Sequence, residues 1–192
     1  MDAQPVKKTK DEGIWETVKI VLQALVIAFF IRLVFFQPFN IPSGSMIPTL
    51  RIGDYLFVNK LVYGYGPYSL KFTAGVMGKE FFTVPDLPIK GRIFTFSKPR
   101  RGDVVVFKLP SNHKIDYIKR IIGLPGDKIQ VIDSVLHING KPVKRERIED
   151  YIAPKGQGGG RPIAQYRETL PNGVSYVTHD LGYIPQADNT RV

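Results

Sequence analysis

Hydrophobic residues are distributed in two ways along the chain, first as one long apolar run and then as many short ones. The run at residues 17–36 reads TVKIVLQALVIAFFIRLVFF, and its apolar side chains surround a helix instead of lining one face. From Arg51 onward, short segments rich in β-branched and aromatic residues are separated by turns containing glycine, proline or asparagine. The pattern predicts a mainly β protein, in which an antiparallel β-sheet domain follows a single N-terminal transmembrane helix.

The apolar run has the length and the flanks of a membrane anchor. Twenty helical residues span about 30 Å, which matches the hydrocarbon core of a bilayer. Because Lys7, Lys8 and Lys10 precede the run, the positive-inside rule assigns residues 1–16 to the cytoplasm and residues 37–192 to the outer side. The sequence therefore predicts an anchor that crosses the membrane once.

Two other interpretations of the apolar run compete with the anchor. A cleavable signal peptide would use Ile20–Ile31 as its apolar core and Ser43-Gly44-Ser45 as a small-x-small cleavage site. Arg32 and the bulky residues 33–39 lie between these two features and disturb their register. A buried helix of a soluble domain would show one apolar stripe, which this run lacks. The anchor explains the pattern best.

Strands and turns can be assigned in the rest of the chain. The nearly continuous apolar run Val104–Leu109 predicts a well-buried strand, and Ile115–Ile122 predicts the strand that follows it. Residues Gly64–Pro99 contain many glycines and prolines, which predicts a long excursion with one hairpin. Its aromatic residues, Phe81, Phe82, Phe94 and Phe96, could contact the membrane surface, but packing onto the sheet is the simpler expectation. Later turns are predicted at Asp133-Ser134, Asn139-Gly140 and Pro171-Asn172-Gly173.

Composition narrows the range of partners. The chain has 192 residues, 43% of them hydrophobic, which suffices for one domain with a core. A net charge of +10 favours nucleic acid or an anionic membrane surface, and the apolar run favours the membrane, so no nucleic-acid partner is predicted. The sequence has no cysteine, no cluster of metal ligands and no glycine-rich phosphate loop. We therefore predict neither a metal nor a cofactor.

The segment Ile41–Leu50 is the first candidate for chemistry. It holds Ser43 and Ser45 between two prolines and a glycine, a composition that excludes a regular helix or strand. Such a loop can present a hydroxyl between apolar walls. On local composition alone, a linker between the membrane segment and the domain is the simpler interpretation.

Lys119 is the second candidate. Its neighbours on the same strand face, Tyr117 and Ile121, are largely apolar, whereas Arg120 points to the other face. A lysine that protects an edge strand from aggregation is the ordinary explanation. Alternatively, burial lowers the pKa of a lysine amine from about 10.4, and a neutral amine can take the proton of a serine hydroxyl. Serine–lysine pairs are a known variant of the catalytic triad.

Three segments together match one family of proteins, in the same order and after a membrane span. They are Ser43-Gly44-Ser45-Met46-x-Pro48-Thr49-Leu50, Arg101-Gly102-Asp103-Val104-Val105-Val106-Phe107 and Asp116-Tyr117-Ile118-Lys119-Arg120-x-x-Gly123-Leu124-Pro125-Gly126-Asp127. Through them the chain resembles the type I signal peptidases, or leader peptidases, of Gram-negative bacteria. One motif alone would be a weak signal, but the three together are very specific.

The resemblance implies a function and a set of site residues. The chain would be a membrane-bound serine endopeptidase that cleaves signal peptides from exported preproteins, with its catalytic domain on the periplasmic side of the bacterial inner membrane. Ser45 would be the nucleophile and Lys119 the general base, and the Ser45 main-chain N–H and the Ser43 hydroxyl would form the oxyanion hole. Substrate contacts would come from Phe39, Ile41, Pro42, Met46, Leu50, Val106, Tyr117 and Ile118.

One further family motif, Gly-Asp-Asn-Arg-Asp-Asn-Ser, is matched only faintly, at Asp188–Arg191. We therefore expect residues 37–192 to be a C-terminally incomplete catalytic domain. Two other hypotheses stay open at this stage. One is a self-cleaving repressor-type protease, which would lack the membrane span. The other is an inactive truncated form or a membrane-tethered β domain that binds extended peptides.

Overall fold

Strands dominate the described part of the chain. The computed structural model describes residues 10–70, 73–76, 79–83, 88–153, 160 and 162–190. In chain order the elements are α1 (Lys10–Val34), β1 (Phe36–Asn40), β2 (Tyr55–Asn59), β3 (Thr73–Val76), β4 (Lys79–Thr83), β5 (Val104–Leu109), β6 (Asn112–Arg120), β7 (Ile129–Ile132), β8 (Val135–Ile138), β9 (Lys141–Pro142), β10 (Lys144–Ile152), β11 (Pro162–Thr169), β12 (Ser175–Asp180) and α2 (Pro185–Asp188).

The strands form small sheets, and the chain divides into two units. The sheets are β1–β2, β3–β4, β5–β6, β7–β8–β9 and β10–β11–β12. The first unit comprises residues 1–39 and 56–97, and the second comprises residues 40–55 and 98–192. The predicted fold class, a mainly antiparallel β protein after one N-terminal apolar helix, is confirmed.

Helix α1 leads the first unit. Within the described residues, its stretch Gly13–Val34 is the one helix long and apolar enough to cross a membrane, judged by length and composition. Its last carbonyl groups are satisfied by side chains of the same unit, because the Lys60 amine donates to the Leu33 carbonyl at 3.1 Å and the Tyr65 hydroxyl donates to that of Val34. The helix ends two residues before the predicted boundary, since Phe36 already belongs to β1.

The predicted excursion contains the one predicted hairpin, formed by β3 and β4. The expectation that its aromatic residues pack onto the sheet is wrong for Phe94 and Phe96, which are 71% and 73% exposed. Backbone hydrogen bonds hold this segment, from Tyr65 N–H to the Ile93 carbonyl and from Ser97 N–H to the Val62 carbonyl, so ring packing is not needed to fix it. The side chains of Phe81 and Phe82 lie outside the described residues.

Short turns connect the strands of the second unit. Hairpin β7–β8 turns at Asp133-Ser134, the β8–β9 turn is Asn139-Gly140, and β11–β12 turns at Pro171-Asn172-Gly173. Asn139 and Gly140 have φ values of 53° and 75°, the pair of positive angles that a two-residue hairpin turn requires. All three turns agree with the prediction.

The core of the second unit is small. Ile138, Val143 and Leu170 are buried, and half-buried side chains pack around them, namely Ile122, Ile129, Leu136 and Tyr176. Leu170 directly follows β11, so this core joins the β11–β12 hairpin to the β7–β9 sheet. Ile122 brings the end of β6 into the same cluster, which ties the strand that carries Lys119 to the core.

The prediction of a well-buried strand at Val104–Leu109 is wrong. Strand β5 pairs with β6 alone, and Val104 and Phe107 are 41% and 37% exposed. A continuous apolar run indicates burial on both faces only where other layers cover the sheet. Among the described residues, the two-stranded β5–β6 ribbon is covered only in part. Some of its apolar surface is therefore exposed to solvent.

Candidate active site

The segment Ile41–Leu50 forms an irregular loop, as its prolines and glycine predicted. Its first residue is fixed on both sides of the backbone, because the Ile41 N–H donates to the Asp54 carbonyl and the Gly53 N–H donates to the Ile41 carbonyl, both at 2.9 Å. Within the loop, the Leu50 N–H donates to the Met46 carbonyl at 2.9 Å. The Ile47–Pro48 peptide bond is cis. These contacts define a turn with Ser45 near its middle.

Ser45 and Lys119 meet, although 74 residues separate them in the sequence. The Lys119 Nζ donates a hydrogen bond to the Ser45 Oγ. Lys119 lies on β6, opposite Val105 of β5, and its Nζ lies 5.5 Å from the centre of the Tyr117 ring. The two side chains therefore share a strand face, as the period of two predicted.

The pair is less enclosed than the sequence suggested. Lys119 is half-buried and Ser45 is exposed, whereas a buried amine was expected. The exposure has the same origin as that of β5, because the ribbon that carries Lys119 consists of only two strands. A pair that is open on one side can be reached by an extended peptide.

The other predicted loop residues differ in their exposure. Ser43 and Pro42 are exposed on the same loop as Ser45, and Met46 and Leu50 are half-buried. Ile41 is only 3% exposed, so its side chain supports the loop from inside and offers little surface to a ligand.

The predicted substrate contacts outside the loop fall into three positions. Tyr117 is on the Lys119 face, 40% exposed, and its ring meets that of Phe107 edge-on at 6.1 Å. Val106 and Ile118 are paired across the ribbon and face the other way by strand alternation. Phe39 is half-buried on β1, in the first unit.

On the opposite face of β6, Arg120 makes contacts that the sequence did not reveal. Its Nη1 donates to the Gly102 carbonyl at 2.7 Å, and its Nη2 donates to Thr49 Oγ1 at 3.1 Å. Its guanidinium also lies 5.0 Å from the centre of the Tyr176 ring. Alternation had placed Arg120 away from Lys119, but nothing in the sequence indicated these partners.

Tyr176 is itself held in place. Its hydroxyl donates to the Glu168 carboxylate at 2.7 Å, and Glu168 is 7% exposed. Burial, assisted by the neighbouring carboxylate, raises the pKa of Tyr176, so the hydroxyl keeps its proton and remains a donor. The ring that Arg120 contacts therefore has a fixed position on β12.

A second brace lies at the turn that follows β6. Arg101 forms an ion pair with Asp127 at 2.9 Å and donates to the Ile122 carbonyl at 2.7 Å. The Leu124 N–H, assisted by the Asn139 side chain and by Arg101, holds the pKa of the Asp127 carboxyl below its usual range. The carboxylate thus stays charged and fixes the end of the strand that carries Lys119.

In the part of the chain that the structure describes, no three histidine, aspartate, glutamate or cysteine side chains come together as a metal site. The group bonded to Ser45 is a lysine amine, which does not suit a divalent cation at a structural site. The chemistry available at this site is that of the hydroxyl and the amine.

Fold and contact together define a class of protein: an antiparallel β domain, preceded by an apolar helix, in which a serine hydroxyl lies against a lysine amine. Residues 14–183 match the family model described as signal peptidase, peptidase S26. This match covers most of the chain, and the chain therefore belongs to the signal peptidase family.

Individual relatives agree with the family match. The chain is 44% identical over 158 residues to signal peptidase I of Rickettsia canadensis, which covers 82% of this chain and 54% of that protein. It is 44% identical over 160 residues to signal peptidase I of Rickettsia conorii, covering 83% and 54%. For the Rickettsia typhi protein the identity is 43% over 160 residues, with 83% and 55% covered. The chain spans about half the length of the curated relatives it matches.

Proposed function

We propose that the chain acts as a membrane-bound serine endopeptidase that cleaves N-terminal signal peptides from exported preproteins. The observation that carries the proposal is the hydrogen bond between the Lys119 amine and the Ser45 hydroxyl. A serine is a weak nucleophile unless an adjacent base takes its proton, and no histidine contacts Ser45 among the described hydrogen bonds. Lys119 is the group in position to serve as that base.

In the proposed reaction, the neutral Lys119 amine takes the Ser45 proton while Ser45 Oγ attacks the scissile carbonyl carbon. The tetrahedral intermediate collapses as the protonated lysine gives its proton to the departing amine, which leaves an acyl-enzyme. Water, deprotonated by Lys119, then releases the signal peptide and regenerates the hydroxyl. The Lys119 amine accepts and returns the proton in both steps. The mechanism therefore requires Lys119 to be uncharged when the substrate binds.

The oxyanion that forms on the carbonyl needs donors. We assign this role to the Ser45 main-chain N–H and the Ser43 hydroxyl, which belong to one short loop. The exposed face around Tyr117, with Met46 and Leu50 of the loop, would accept small side chains of the substrate next to the scissile bond. Pro42, exposed on the same loop, would add to these contacts, whereas the buried Ile41 would support the loop from inside. An extended peptide would add to a strand edge by main-chain hydrogen bonds.

Anchoring in the membrane is part of the proposal. Helix α1 is apolar on all sides, and its described residues from Gly13 to Arg32 are exposed, which suits a lipid environment. The exposed rings of Phe57, Phe94 and Phe96 belong to the same unit and would contact the bilayer surface. The lysines before the helix favour a cytoplasmic N-terminus and a periplasmic catalytic domain in the bacterial inner membrane.

The position of Ser45 in the sequence fits such an enzyme. Ser45 follows the end of α1, at Val34, by eleven residues, and a chain of that length reaches at most about 40 Å. A signal peptide that spans the same membrane presents its cleavage site close to the outer face. The tether therefore keeps the hydroxyl within reach of the bond to be cut.

The test is cleavage of a preprotein by the full chain in detergent, compared with its Ser45→Ala variant. We expect the variant to lose cleavage while its circular dichroism spectrum stays unchanged, because only a surface oxygen is removed. Ser43→Ala should retain a reduced rate, because it removes one of two oxyanion donors. Cleavage by Ser45→Ala at the wild-type rate would show that the nucleophile is another residue.

A further inference from the structure

Lys119 and Arg120 contact the same loop from the two faces of one strand. Lys119 bonds Ser45 on one face of β6, and Arg120 bonds Thr49 on the other. Adjacent strand residues point in opposite directions, so side chains from both faces of β6 contact this one loop. Only three residues lie between Ser45 and Thr49, and shifting the loop along the strand would break both contacts together.

Arg120 is suited to fix a position because its own position is fixed. One guanidinium nitrogen bonds the Gly102 carbonyl at 2.7 Å while another bonds Thr49 at 3.1 Å, and the plane lies near the Tyr176 ring. A planar guanidinium can hold two acceptors and contact a ring at once, whereas a lysine amine is a single point of charge. Gly102 and Tyr176 belong to different parts of the second unit, so the side chain is held from two directions.

Gly102 adds rigidity to this arrangement. It is buried, has a φ of 97°, and lies so close to Val174 that an added Cβ would meet the Val174 Cγ1 at 2.6 Å. Its carbonyl therefore cannot follow Arg120 if the side chain moves. Arg120 therefore joins a rigid acceptor, the Gly102 carbonyl, to Thr49 of the loop. Of these two acceptors, Thr49 is the one that can move.

We infer that Arg120 is a positioning residue for the proposed cleavage reaction, and that its hydrogen bond to Thr49 sets the register of the Ile41–Leu50 loop so that the Ser45 hydroxyl stays within reach of Lys119. The inference rests on the proposed roles of Ser45 and Lys119. Arg120 does not contact the reacting atoms, and it acts through Thr49 and the loop backbone.

The first test compares variants that remove the connection from either end. Thr49→Val keeps the shape of the side chain but removes the acceptor, and Arg120→Lys keeps the charge but cannot hold both acceptors. With a signal-peptide substrate and the full chain in detergent, each variant should lower kcat roughly 10- to 100-fold with little change in KM, the range expected for one hydrogen bond to a charged group. The double variant should be no slower than the slower single variant, because both remove the same contact.

Two controls separate positioning from general stability. Thr49→Ser restores the hydroxyl and should return kcat to near the wild-type value. Arg145 is also held by polar partners and a ring, with ion pairs to Asp180 at 3.0 Å and Glu168 at 3.8 Å and its guanidinium 3.5 Å from the centre of the Tyr166 ring. Arg145→Lys should lower the Tm but leave kcat unchanged, because none of these contacts involves the loop.

A second measurement does not depend on activity. The Leu50 amide donates to the Met46 carbonyl inside the loop, so its hydrogen exchange reports how well the loop is held. Exchange at Leu50 should be at least about tenfold faster in Thr49→Val and Arg120→Lys than in the wild type, and unchanged in Arg145→Lys. If the wild-type chain cleaves no substrate, the exchange comparison decides alone.

The outcomes distinguish this inference from the proposed function. Cleavage by Ser45→Ala at the wild-type rate refutes the proposed nucleophile. If Ser45→Ala is inactive but Thr49→Val has wild-type kcat, only the inference about Arg120 fails. A loss of kcat without faster exchange at Leu50, or faster exchange with unchanged kcat in a chain that cleaves, also overturns it, because the loop would not connect the two effects.

Discussion

Replacing Gly102 by alanine tests how tightly the second unit packs around the residue whose carbonyl accepts a hydrogen bond from Arg120. Gly102 has a φ of 97°, in the region that side-chain-bearing residues avoid, and an ideal Cβ there would lie 2.6 Å from Val174 Cγ1 and 3.0 Å from Val174 Cβ. The added methyl group would therefore cost stability in two ways. One cost is the strained backbone of residue 102, and the other is the overlap with Val174 in the β11–β12 turn.

The size of the effect can be worked from these two contributions. A non-glycine residue in the left-handed region costs about 1–2 kcal/mol, and overpacking by one methyl group costs about 1–3 kcal/mol. Together Gly102→Ala should lower the free energy of unfolding by about 2–5 kcal/mol. At about 2–4 °C per kcal/mol for a domain of this size, the Tm should fall by about 4–20 °C.

Thermal unfolding of the full chain in detergent, followed by circular dichroism, measures this change. The double variant Gly102→Ala/Val174→Ala should recover the overlap contribution, about 1–3 kcal/mol, and keep the backbone contribution. Val174→Ala alone is the control, and since Val174 is 36% exposed its own effect should be small. A Tm for Gly102→Ala within about 1 °C of the wild type would refute the left-handed turn, and a double variant no more stable than the single one would refute the contact with Val174.

Further predictions concern the core, the turn brace and the anchor. Leu170→Ala, at a side chain only 2% exposed, should cost about 2–5 kcal/mol in thermal unfolding. Because the pKa of Asp127 is lowered in the folded state, its carboxylate stabilises the fold above the ordinary aspartate pKa of about 3.9. This stability is lost as the pH falls through the folded-state pKa. Asp127→Asn should therefore lower the Tm at neutral pH, and the Tm of the variant should fall less steeply than that of the wild type at acid pH. Leu25→Lys/Ile27→Lys, each about 2.5–3.5 kcal/mol unfavourable within a bilayer, should move the chain from the membrane pellet to the supernatant after alkaline extraction; retention in the pellet would contradict the anchor.

Local signals in the sequence were sufficient for most of the fold. Asn139-Gly140 and Pro171-Asn172-Gly173 predicted their turns correctly because the residues that adopt positive φ are the turn residues themselves. The apolar run predicted α1 for a similar reason, since length and composition are properties of the segment alone. The end of α1 was less predictable, because it depends on Lys60 and Tyr65, which lie far along the chain.

Burial was harder to predict than secondary structure. Val104–Leu109 has the composition of a strand covered on both faces, yet it belongs to a two-stranded ribbon. Phe94 and Phe96 were expected to pack inward and are exposed instead. A hydrophobic pattern describes what a segment can bury, whereas the layers that bury it come from elsewhere in the chain.

The candidate site was predictable in part, for a definable reason. Ser45 and Lys119 stood out because each is an unusual residue in its local pattern, and the family resemblance joined them. Arg120 and Thr49 are ordinary residues in their local patterns, and their contact spans 71 residues. Only coordinates reveal that the two faces of β6 meet the same loop.

The most direct test of the account is the cleavage rate of Lys119→Arg beside the wild type, measured with one preprotein substrate from about pH 6 to about pH 11. Arginine retains its proton throughout this range, so it can donate to Ser45 but cannot accept the hydroxyl proton. The account predicts cleavage by the wild type and no cleavage by Lys119→Arg at any pH. Cleavage by the arginine variant at a rate near that of the wild type would contradict the role of Lys119 as the base.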